Sequence, residues 1–398
     1  MDLRTVGGVI EPVLTVLQVL PALDGGGVER GTLEIAAALA QRGHRSLVIS
    51  AGGHHVSRLE AAGSRHITWP IGAKSPLTLR WVRRLRRLLL EQQVTILHAR
   101  SRLPAWVAWL AWRGLPPERR PRFLTTVHGL YSVNSYSAVM TRGERIIAVS
   151  DAARDYVIAN YPGVEPERIA VIHRGVDTAV YSTGYHPDTA WLANWYRHYP
   201  ETRGKYVITL PGRLTRRKGV LDFIDVVQGL KQGGIPAHGL IVGDSPAGRK
   251  GGFMYECRRR IAAAGLTEAI TLTGYREDLR EILAISGAVV CLARHPEAFG
   301  RTVAEALSLG RPVAGYAHGG VGEQLQAMFP AGGVPLGDVD AVCGRLADWY
   351  AAAPRPAANH CYTLEKMLTA TLDVYQEMAG DRYGPAVGSP WREVRSKK

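Results

Sequence analysis

Short apolar runs alternate with helical patterns along most of this chain, and this alternation restricts the fold more than any other feature. In the first half, runs such as VLTVLQVL, RSLVIS, VTILHAR and RFLTTVHG are separated by segments with helical periodicity. Strands that alternate with helices in this way predict a parallel, doubly wound sheet with helices packed on it. The predicted fold class is therefore α/β.

The pattern stops and then restarts, which predicts two domains of the same kind. An irregular stretch rich in Tyr, Trp and His runs from Thr183 to about Lys205, and YVITLPGRL opens a second series of strands and helices. We predict an N-terminal domain over 1–182, a C-terminal domain over 183–364, and a segment over 365–398. That last segment is predicted to be a helix that returns to the first domain, followed by a basic tail. Two such domains facing each other would form a cleft at the carboxyl ends of their strands, where ligands bind.

Composition places the chain among ordinary globular proteins. The most apolar run, Leu103 to Trp112, is too short to span a membrane. Asp2, Arg4 and Glu11 interrupt any signal-peptide core. Four scattered cysteines without a CxxC motif are expected to be buried thiols in a reducing compartment. We therefore expect a cytoplasmic protein.

The charge is high and uneven. The formal net charge is +14 and the pI is near 9.8, which predicts attraction to polyanions. One predicted helix, Leu79 to Gln93, carries five arginines opposite an apolar side. One interpretation is a basic amphipathic helix that binds an anionic membrane surface, with Trp106, Trp109 and Trp112 beside it. The other is a helix packed on its own domain with a solvated arginine face, and the sequence alone slightly favours this second interpretation.

Several enzyme classes are excluded by missing motifs. The loop Gly25–Gly31 does not match GxGxxG, and the second strand ends at Ser50 without the acidic residue that a dinucleotide ribose requires. Walker A, HExxH and GxSxG sequences are also absent. Asp338-Val339-Asp340 spells the DxD of some metal-dependent transferases, but its position favours a helix cap. We therefore expect neither a metal nor a bound cofactor.

The sequence GRLTRRKG in the second domain is a candidate diphosphate clamp. Arg213 follows a predicted strand, and Lys218 comes five positions later beside Gly219. Two fixed cations and backbone N–H groups can offset the charge of a diphosphate without a metal. The alternative is that these basic residues only decorate the surface.

The stretch PEAFGRTVAEALSLGRPV is a candidate sugar site. Phe299-Gly300-Arg301 lies at a predicted helix N-terminus, whose free N–H groups and dipole suit a phosphate. Glu297 precedes the helix and Glu305 lies inside it, so the two carboxylates could border one anion site and accept hydrogen bonds from sugar hydroxyls. Taken singly, Glu297 could be a cap and Glu305 a solvated helix residue.

With these motifs in hand, the chain resembles the retaining family-4 glycosyltransferases of the GT-B fold, which has two Rossmann-like domains. The resemblance rests on the early glycine loop, TTVHG, AVS, IHRGVD, GRLTRRKG and PEAFGRTVAEALSLGRPV, and so spans nearly the whole chain. ILHARSRLPAWVAWLA and RGERIIAVS are most similar to bacterial transferases of lipopolysaccharide core assembly.

Residue roles follow from this resemblance by matching positions. It implies that Arg213 and Lys218 hold the donor diphosphate, that Glu305 holds the ribose hydroxyls and that Glu297 holds the hydroxyls of the donor sugar. It also places His128 near the anomeric centre of the transferred sugar. The motifs themselves mark the first four of these residues, whereas the role of His128 depends on the resemblance.

The resemblance implies further contacts with substrate. The glycine loop would line the cleft near the phosphate and acceptor, the backbone after Glu297 would face the donor, and the sequence TGYRED would touch the base. The positions concerned are Gly26, Gly27, Glu29, Gly274, Tyr275, Arg276, Phe299, Gly300, Arg301 and Thr302.

The expected activity is transfer of a hexose-type sugar from a nucleotide diphosphate sugar to an acceptor hydroxyl, with retention and without metal. The expected partners are that donor, a lipid-linked glycan such as lipopolysaccharide core, and an anionic membrane surface to which the protein would bind peripherally. Two alternatives remain open from the sequence. One is a sugar-nucleotide 2-epimerase of the same fold, and the other is a basic nucleic-acid-binding protein.

Overall fold

A computed structural model of the chain describes residues 3–6, 9–244 and 252–383, which form two compact units. The first unit contains the described residues of Met1–Val149, Ala153–His173 and Lys366–Lys398. The second contains those of Ser150–Ala152 and Arg174–Glu365. The predicted basic tail after residue 383 lies outside the described residues.

The first unit is built on a seven-stranded parallel sheet. Leu3–Val6 (β1) and Val9–Pro12 (β2) form a separate antiparallel pair before it. The sheet strands are Thr15–Val19 (β3), Arg45–Ser50 (β4), Arg65–Thr68 (β5), Ile96–Ala99 (β6), Arg122–Val127 (β7), Arg145–Ala148 (β8) and Ile169–Val171 (β9). Their order in the sheet is β5-β4-β3-β6-β7-β8-β9, so the chain winds outward in both directions from β3 and β6.

Helices connect these strands, as parallel pairing requires. They are Gly27–Gln41 (α1), Val56–Ala61 (α2), Arg80–Glu91 (α3), Arg102–Arg113 (α4) and Asp151–Asn160 (α5). All five residues of β3 are buried, and so are all four of β6. A sheet covered on both faces buries both sides of each strand, and this explains why the strands read as largely apolar runs.

The second unit repeats this architecture with six strands. The strands are Tyr206–Pro211 (β10), Ala237–Val242 (β11), Ile270–Gly274 (β12), Ala288–Cys291 (β13), Val313–Tyr316 (β14) and Gly333–Val334 (β15). The helices are Thr189–His198 (α6), Val220–Gln232 (α7), Gly252–Ala263 (α8), Leu279–Ile285 (α9), Arg301–Ser308 (α10), Gly319–Met328 (α11) and Val339–Ala351 (α12). The strand order is β12-β11-β10-β13-β14-β15, with every pair parallel. The prediction of two doubly wound α/β domains is confirmed.

The last described helix, Leu364–Tyr383 (α13), groups with the first unit from Lys366 onward. Tyr375 on this helix is fully buried, and its hydroxyl lies 2.7 Å from Nδ1 of His98. The other ring nitrogen of His98 lies 2.6 Å from the Thr126 hydroxyl. Arg122 Nε donates to the Met378 carbonyl at 3.0 Å. Helix α13 is thus anchored among β6 and β7.

Two smaller expectations from the sequence have clear outcomes. Asp338 caps α12, since its carboxylate accepts a hydrogen bond from the Ala341 N–H at 2.9 Å. The prediction that all four cysteines are buried holds for Cys257 alone, since Cys291 and Cys343 are partly buried and Cys361 is an exposed free thiol. None of the helices that the structure describes is long and apolar enough to cross a membrane.

Candidate functional site

The second sheet reverses its winding between β10 and β13, and the predicted clamp lies at that point. Strands β11 and β12 lie to one side of β10, whereas β13, β14 and β15 lie to the other. In doubly wound sheets, ligands bind at the carboxyl ends of the strands where the order reverses. Arg213 follows the end of β10, and Glu297 lies in the loop after β13. The two motifs therefore reach the same edge of the sheet from different parts of the sequence.

Lys218 and Glu297 form an ion pair at this reversal. The distance from Lys218 Nζ to Glu297 Oε1 is 2.6 Å, and the two side chains are 29% and 21% exposed. Burial alone would lower the pKa of Lys218, but the Glu297 carboxylate outweighs it and the pKa is raised. The thiol of Cys291, at the end of β13, lies 3.9 Å from the same carboxylate oxygen. Burial, reinforced by Glu297, raises the pKa of that thiol to about 12. Lys218 is therefore a fixed cation and Cys291 a neutral neighbour.

A close backbone approach brings Lys218 to Glu297. Gly219 follows the short helix that carries Lys218 and has φ of 69°. A Cβ at this position would lie 1.9 Å from the Leu292 carbonyl oxygen. The N–H of Arg294 also donates to the Arg217 carbonyl at 2.9 Å. Only glycine permits both the left-handed conformation and the contact with the end of β13, so Gly219 fixes the geometry of the pair.

Arg213 is a second cation at the same edge and is poised for a ligand. Its side chain is exposed, and among the described residues its guanidinium has no hydrogen-bond or ion-pair partner. Its charge acts on Lys218, where it opposes the rise in pKa. Gly212, with φ of 137°, lies between β10 and Arg213, and its Cα faces the Lys218 side chain. The two cations can therefore act on one anion.

The N-terminus of α10 lies at the same edge of the second sheet. Gly300 precedes the helix in a left-handed conformation with φ of 86°, and a Cβ there would lie 2.6 Å from Val321 Cγ2. The buried side chain of Gln324 donates to the Phe299 carbonyl, and the N–H of Gly320 donates to the Glu297 carbonyl at 2.8 Å. The loop before α10 is thus held by α11, and its anion-binding role stays a prediction.

Glu305 lies deeper than the sequence interpretation suggested. Its side chain is buried, only 4% exposed, and its Oε1 accepts from Arg301 Nε at 3.1 Å one turn earlier in α10. The interpretation of Glu305 as a solvated helix residue is therefore wrong. A buried, paired carboxylate can bind a hydroxyl pair with little reorganisation, and the ribose role of Glu305 stays a prediction.

A buried carboxylate that no sequence motif marked holds the loop of Glu297. Asp222, in the first turn of α7, accepts from Arg294 Nη2 at 2.7 Å and from the Tyr316 hydroxyl at 2.6 Å. Arg294 lies three residues before Glu297, so Asp222 fixes that loop to α7 and β14. In the sequence, the only indication of this role was that Asp222 is an acidic residue within the apolar pattern GVLDFIDVV.

The predicted base-contacting segment follows β12, at the edge of the sheet. Gly274 has φ of 72° and Tyr275 is 66% exposed. Arg276 instead pairs with Asp278 through two hydrogen bonds of 2.8 and 2.6 Å. The hydrogen bonds that Arg276 donates to the Asp278 carboxylate also raise the pKa of Arg276. Of the three predicted positions, Tyr275 is exposed, whereas Gly274 and Arg276 are partly buried.

In the first unit, the predicted glycine loop precedes α1 and follows β3. Gly26 is the residue before the helix, with φ of 144°, and Gly27 is its first residue. The carboxylate of Glu29 folds back over the loop, so that a Cβ on Gly26 would lie 2.6 Å from Glu29 Oε2. The loop is exposed. The positive φ at position 26 explains the glycine, because the flexible Glu29 side chain could move away from a larger residue but the backbone conformation would still be strained.

His128 follows β7 and is half-buried. The side chain of Tyr131 hydrogen-bonds the backbone of His128. A cation that was not predicted, Arg100, follows β6 in the same sheet and is buried, with Nη1 donating to Gln18 Oε1 at 3.1 Å. Burial lowers the pKa of Arg100 to about 10. In the sequence, the only indication of Arg100 as a site residue was its position at the end of the apolar run VTILHAR.

Two Rossmann-like units, each with a parallel doubly wound sheet, define the GT-B class of fold. The family model described as Glycosyltransferase Family 4 matches residues 25–180, and the model described as Glycosyl transferases group 1 matches residues 194–352. A solved glycosyltransferase from Rickettsia africae is 26% identical, with a TM-score of 0.79 over 92% of this chain and 98% of that one. The chain belongs to the family-4, group 1 glycosyltransferases, as its motifs predicted.

Two curated relatives match shorter stretches. The 2-deoxystreptamine N-acetyl-D-glucosaminyltransferase of Streptomyces fradiae is 30% identical over 46% of this chain and 43% of the relative. One component of the phosphatidylinositol N-acetylglucosaminyltransferase of Homo sapiens is 25% identical over 75% of this chain and 61% of the relative. In both cases the match spans less than two thirds of the relative's own length.

Proposed function

We propose that the protein transfers a hexose-type sugar from a nucleotide diphosphate sugar to an acceptor hydroxyl, with retention of anomeric configuration and without a metal. The observation that carries this proposal is the Lys218–Glu297 pair, 2.6 Å long, beside the exposed cation Arg213 at the reversal of the second sheet. Lys218, which Glu297 holds in place, and the exposed Arg213 would bind a diphosphate, and the carboxylate beside them would bind a sugar.

The chemical step develops negative charge on the leaving phosphate. The bond from the anomeric carbon to the phosphate oxygen breaks as the acceptor oxygen bonds to the same carbon, on the same face. The acceptor proton passes to the leaving phosphate oxygen, so charge and atoms balance without a protein nucleophile. Arg213, Lys218 and the N-terminus of α10 stabilise the growing charge, and of these Lys218 and the helix are held in place before the reaction begins.

Glu297 acts in this proposal as a hydrogen-bond acceptor. Lys218 donates to one of its oxygens, which leaves the remaining acceptor capacity for hydroxyl groups of the donor sugar. A glycosidase would instead need two facing carboxylates, one of them a proton donor. Here the other carboxylate, Glu305, is buried against Arg301. The roles proposed for Gly26, Gly27, Glu29 and His128 follow from family membership alone.

The names of the curated relatives indicate which substrates to test first. Both are called N-acetylglucosaminyltransferases, and the name of the human relative includes phosphatidylinositol. We therefore propose N-acetylglucosamine as the first donor sugar to try. A lipid-linked glycan, such as a bacterial lipopolysaccharide core, is the proposed acceptor, and a peripheral membrane location on the cytoplasmic side would suit it.

A donor panel tests the proposal directly. UDP-, GDP-, ADP- and CMP-sugars are added to the protein in EDTA, and thermal stabilisation is measured. We expect one nucleotide to stabilise the wild type, and Arg213→Ala or Lys218→Ala to lose that shift. The control Arg258→Ala removes an exposed arginine from α8 and should keep it. The proposal fails if no nucleotide sugar stabilises the protein, or if the clamp variants respond as the control does.

Turnover completes the test. With the stabilising donor, Arg213→Ala is expected to reduce kcat/KM by about 10²–10³-fold, the usual effect of removing one preorganised donor from a developing anion. Nuclear magnetic resonance of the product gives its anomeric configuration, and an inverted product would refute the retaining mechanism. Conversion of the donor sugar to its 2-epimer in the absence of acceptor would instead establish the epimerase alternative.

A further inference from the structure

Helix α3 presents an unusual cationic stripe. Arg80, Arg83, Arg84 and Arg87 are exposed and recur at the spacing of one helical face. Throughout the described part of the chain, no carboxylate forms an ion pair with any of these four guanidinium groups. Four uncompensated charges on one helical face repel one another unless an anionic surface is bound to them.

The opposite side of α3 is not available to a partner. Trp81, Leu85 and Leu89 are buried in the core of the first unit. Helix α3 is therefore packed on its own domain with an exposed arginine face, and its apolar side cannot also enter a membrane. Trp112 is also bound within its own domain, because its Nε1 donates to the Pro121 carbonyl at 2.8 Å and its ring stacks on Phe123.

Two exposed leucines lie at the N-terminal end of the stripe. The short helical turn Pro76–Leu79 leads directly into α3, and Leu77 and Leu79 on it are 68% and 61% exposed. Lys74, just before this turn, is exposed as well. Apolar side chains that protrude beside several cations are typical of surfaces that meet lipid headgroups and the outer acyl region.

We propose that the stripe Arg80–Arg87 with Leu77 and Leu79 is a docking surface for an anionic lipid bilayer. The arginines would bind headgroup phosphates while the two leucines enter the interface. This inference goes beyond the proposed transfer reaction and depends on none of its residues. A nucleic-acid strand fits less well, because it favours exposed aromatic faces for stacking. The ring of Trp81 has no exposed face for stacking, because Arg80 and Arg84 lie over it and Trp69 stacks on it.

Vesicle flotation of the full chain tests the proposal. Vesicles of phosphatidylcholine are compared with vesicles that also contain phosphatidylglycerol, at low and high salt. We expect binding only to the anionic vesicles, weakened by salt. Arg83→Gln/Arg87→Gln should lower the partition coefficient about 25-fold, since each surface cation contributes a factor of about five. Leu77→Gln/Leu79→Gln should lower it about tenfold at either salt concentration.

The matched control is Arg258→Gln/Arg259→Gln, which removes the same two charges from the exposed side of α8 in the second unit. It should bind vesicles as the wild type does. The proposal is overturned if the wild type does not float, or if the control loses as much binding as the α3 variant. It is equally overturned if single-stranded RNA binds to the wild type and displaces it from the vesicles.

Discussion

The Lys218–Glu297 pair should be energetically coupled even before a donor binds, and a double-mutant cycle measures this coupling. The variants are Lys218→Met, Glu297→Gln and the two combined. Each single change removes one charge and leaves the other partly buried. Glu297 would then face only the neutral Cys291 thiol, and Lys218 would face only the like charge of Arg213. The double variant removes both charges at once.

The size of the coupling follows from the geometry. Two unit charges about 4 Å apart at an effective dielectric constant of ~20 attract by about 4 kcal/mol before desolvation is subtracted. Because the side chains of this pair are 29% and 21% exposed, burial offsets part of that attraction. We therefore expect a net coupling of about 1–3 kcal/mol, the range seen for residues in direct contact. The double variant should be more stable than the sum of the singles predicts by this amount.

Urea denaturation of the donor-free protein provides the measurement, with the unfolding of the second unit followed for all four proteins. The same cycle on kcat/KM should also be non-additive, because Glu297 is positioned by Lys218. If the two single destabilisations add to that of the double variant within about 0.5 kcal/mol, the side chains act independently. The physical reasoning for a preformed clamp would then be refuted.

Three further predictions concern packing, protonation and a buried hydrogen bond. Gly219→Ala should destabilise the second unit by at least about 2 kcal/mol more than the control Gly234→Ala. Both glycines have positive φ, but only at position 219 would a Cβ clash, at 1.9 Å from the Leu292 carbonyl oxygen. Equal melting temperatures for the two variants would contradict this. Burial holds the pKa of His98 well below its ordinary 6.5, so stability from this group is complete above about pH 6.5 and declines as the pH falls. Tyr375→Phe removes the hydroxyl that partners His98 and should lower the free energy of unfolding by about 1–3 kcal/mol at pH 7, as measured by urea denaturation. An unchanged denaturation midpoint would show that this hydrogen bond is dispensable.

The sequence was sufficient for elements whose periodicity is strong. Strands such as β3 and β10 read as largely apolar runs because both faces of each sheet are covered. Short elements escaped prediction. Helix α2 has six residues and β15 has two, too few for a period to show. The helix α11 was missed because it opens with Gly319-Gly320, which usually marks a loop.

The candidate site was predictable where a motif carries its own geometry. Arg213, Lys218 and Glu297 do lie at one edge of the sheet, because strand ends converge in a parallel fold. Partners distant in sequence were not predictable. The pairing of Arg276 with Asp278 and the network around Asp222 depend on which side chains the packing brings together. No local pattern encodes those contacts.

The placement of α13 has a consequence for biosynthesis. The described residues of α13 from Lys366 group with the first unit, and its hydrogen bonds to β6 and β7 join residues that are 277 and 256 positions apart in the chain. The amino-terminal half therefore cannot reach its native state when it leaves the ribosome, although domains usually fold in the order of their synthesis. The middle of the chain can mature first, and the first unit is completed last.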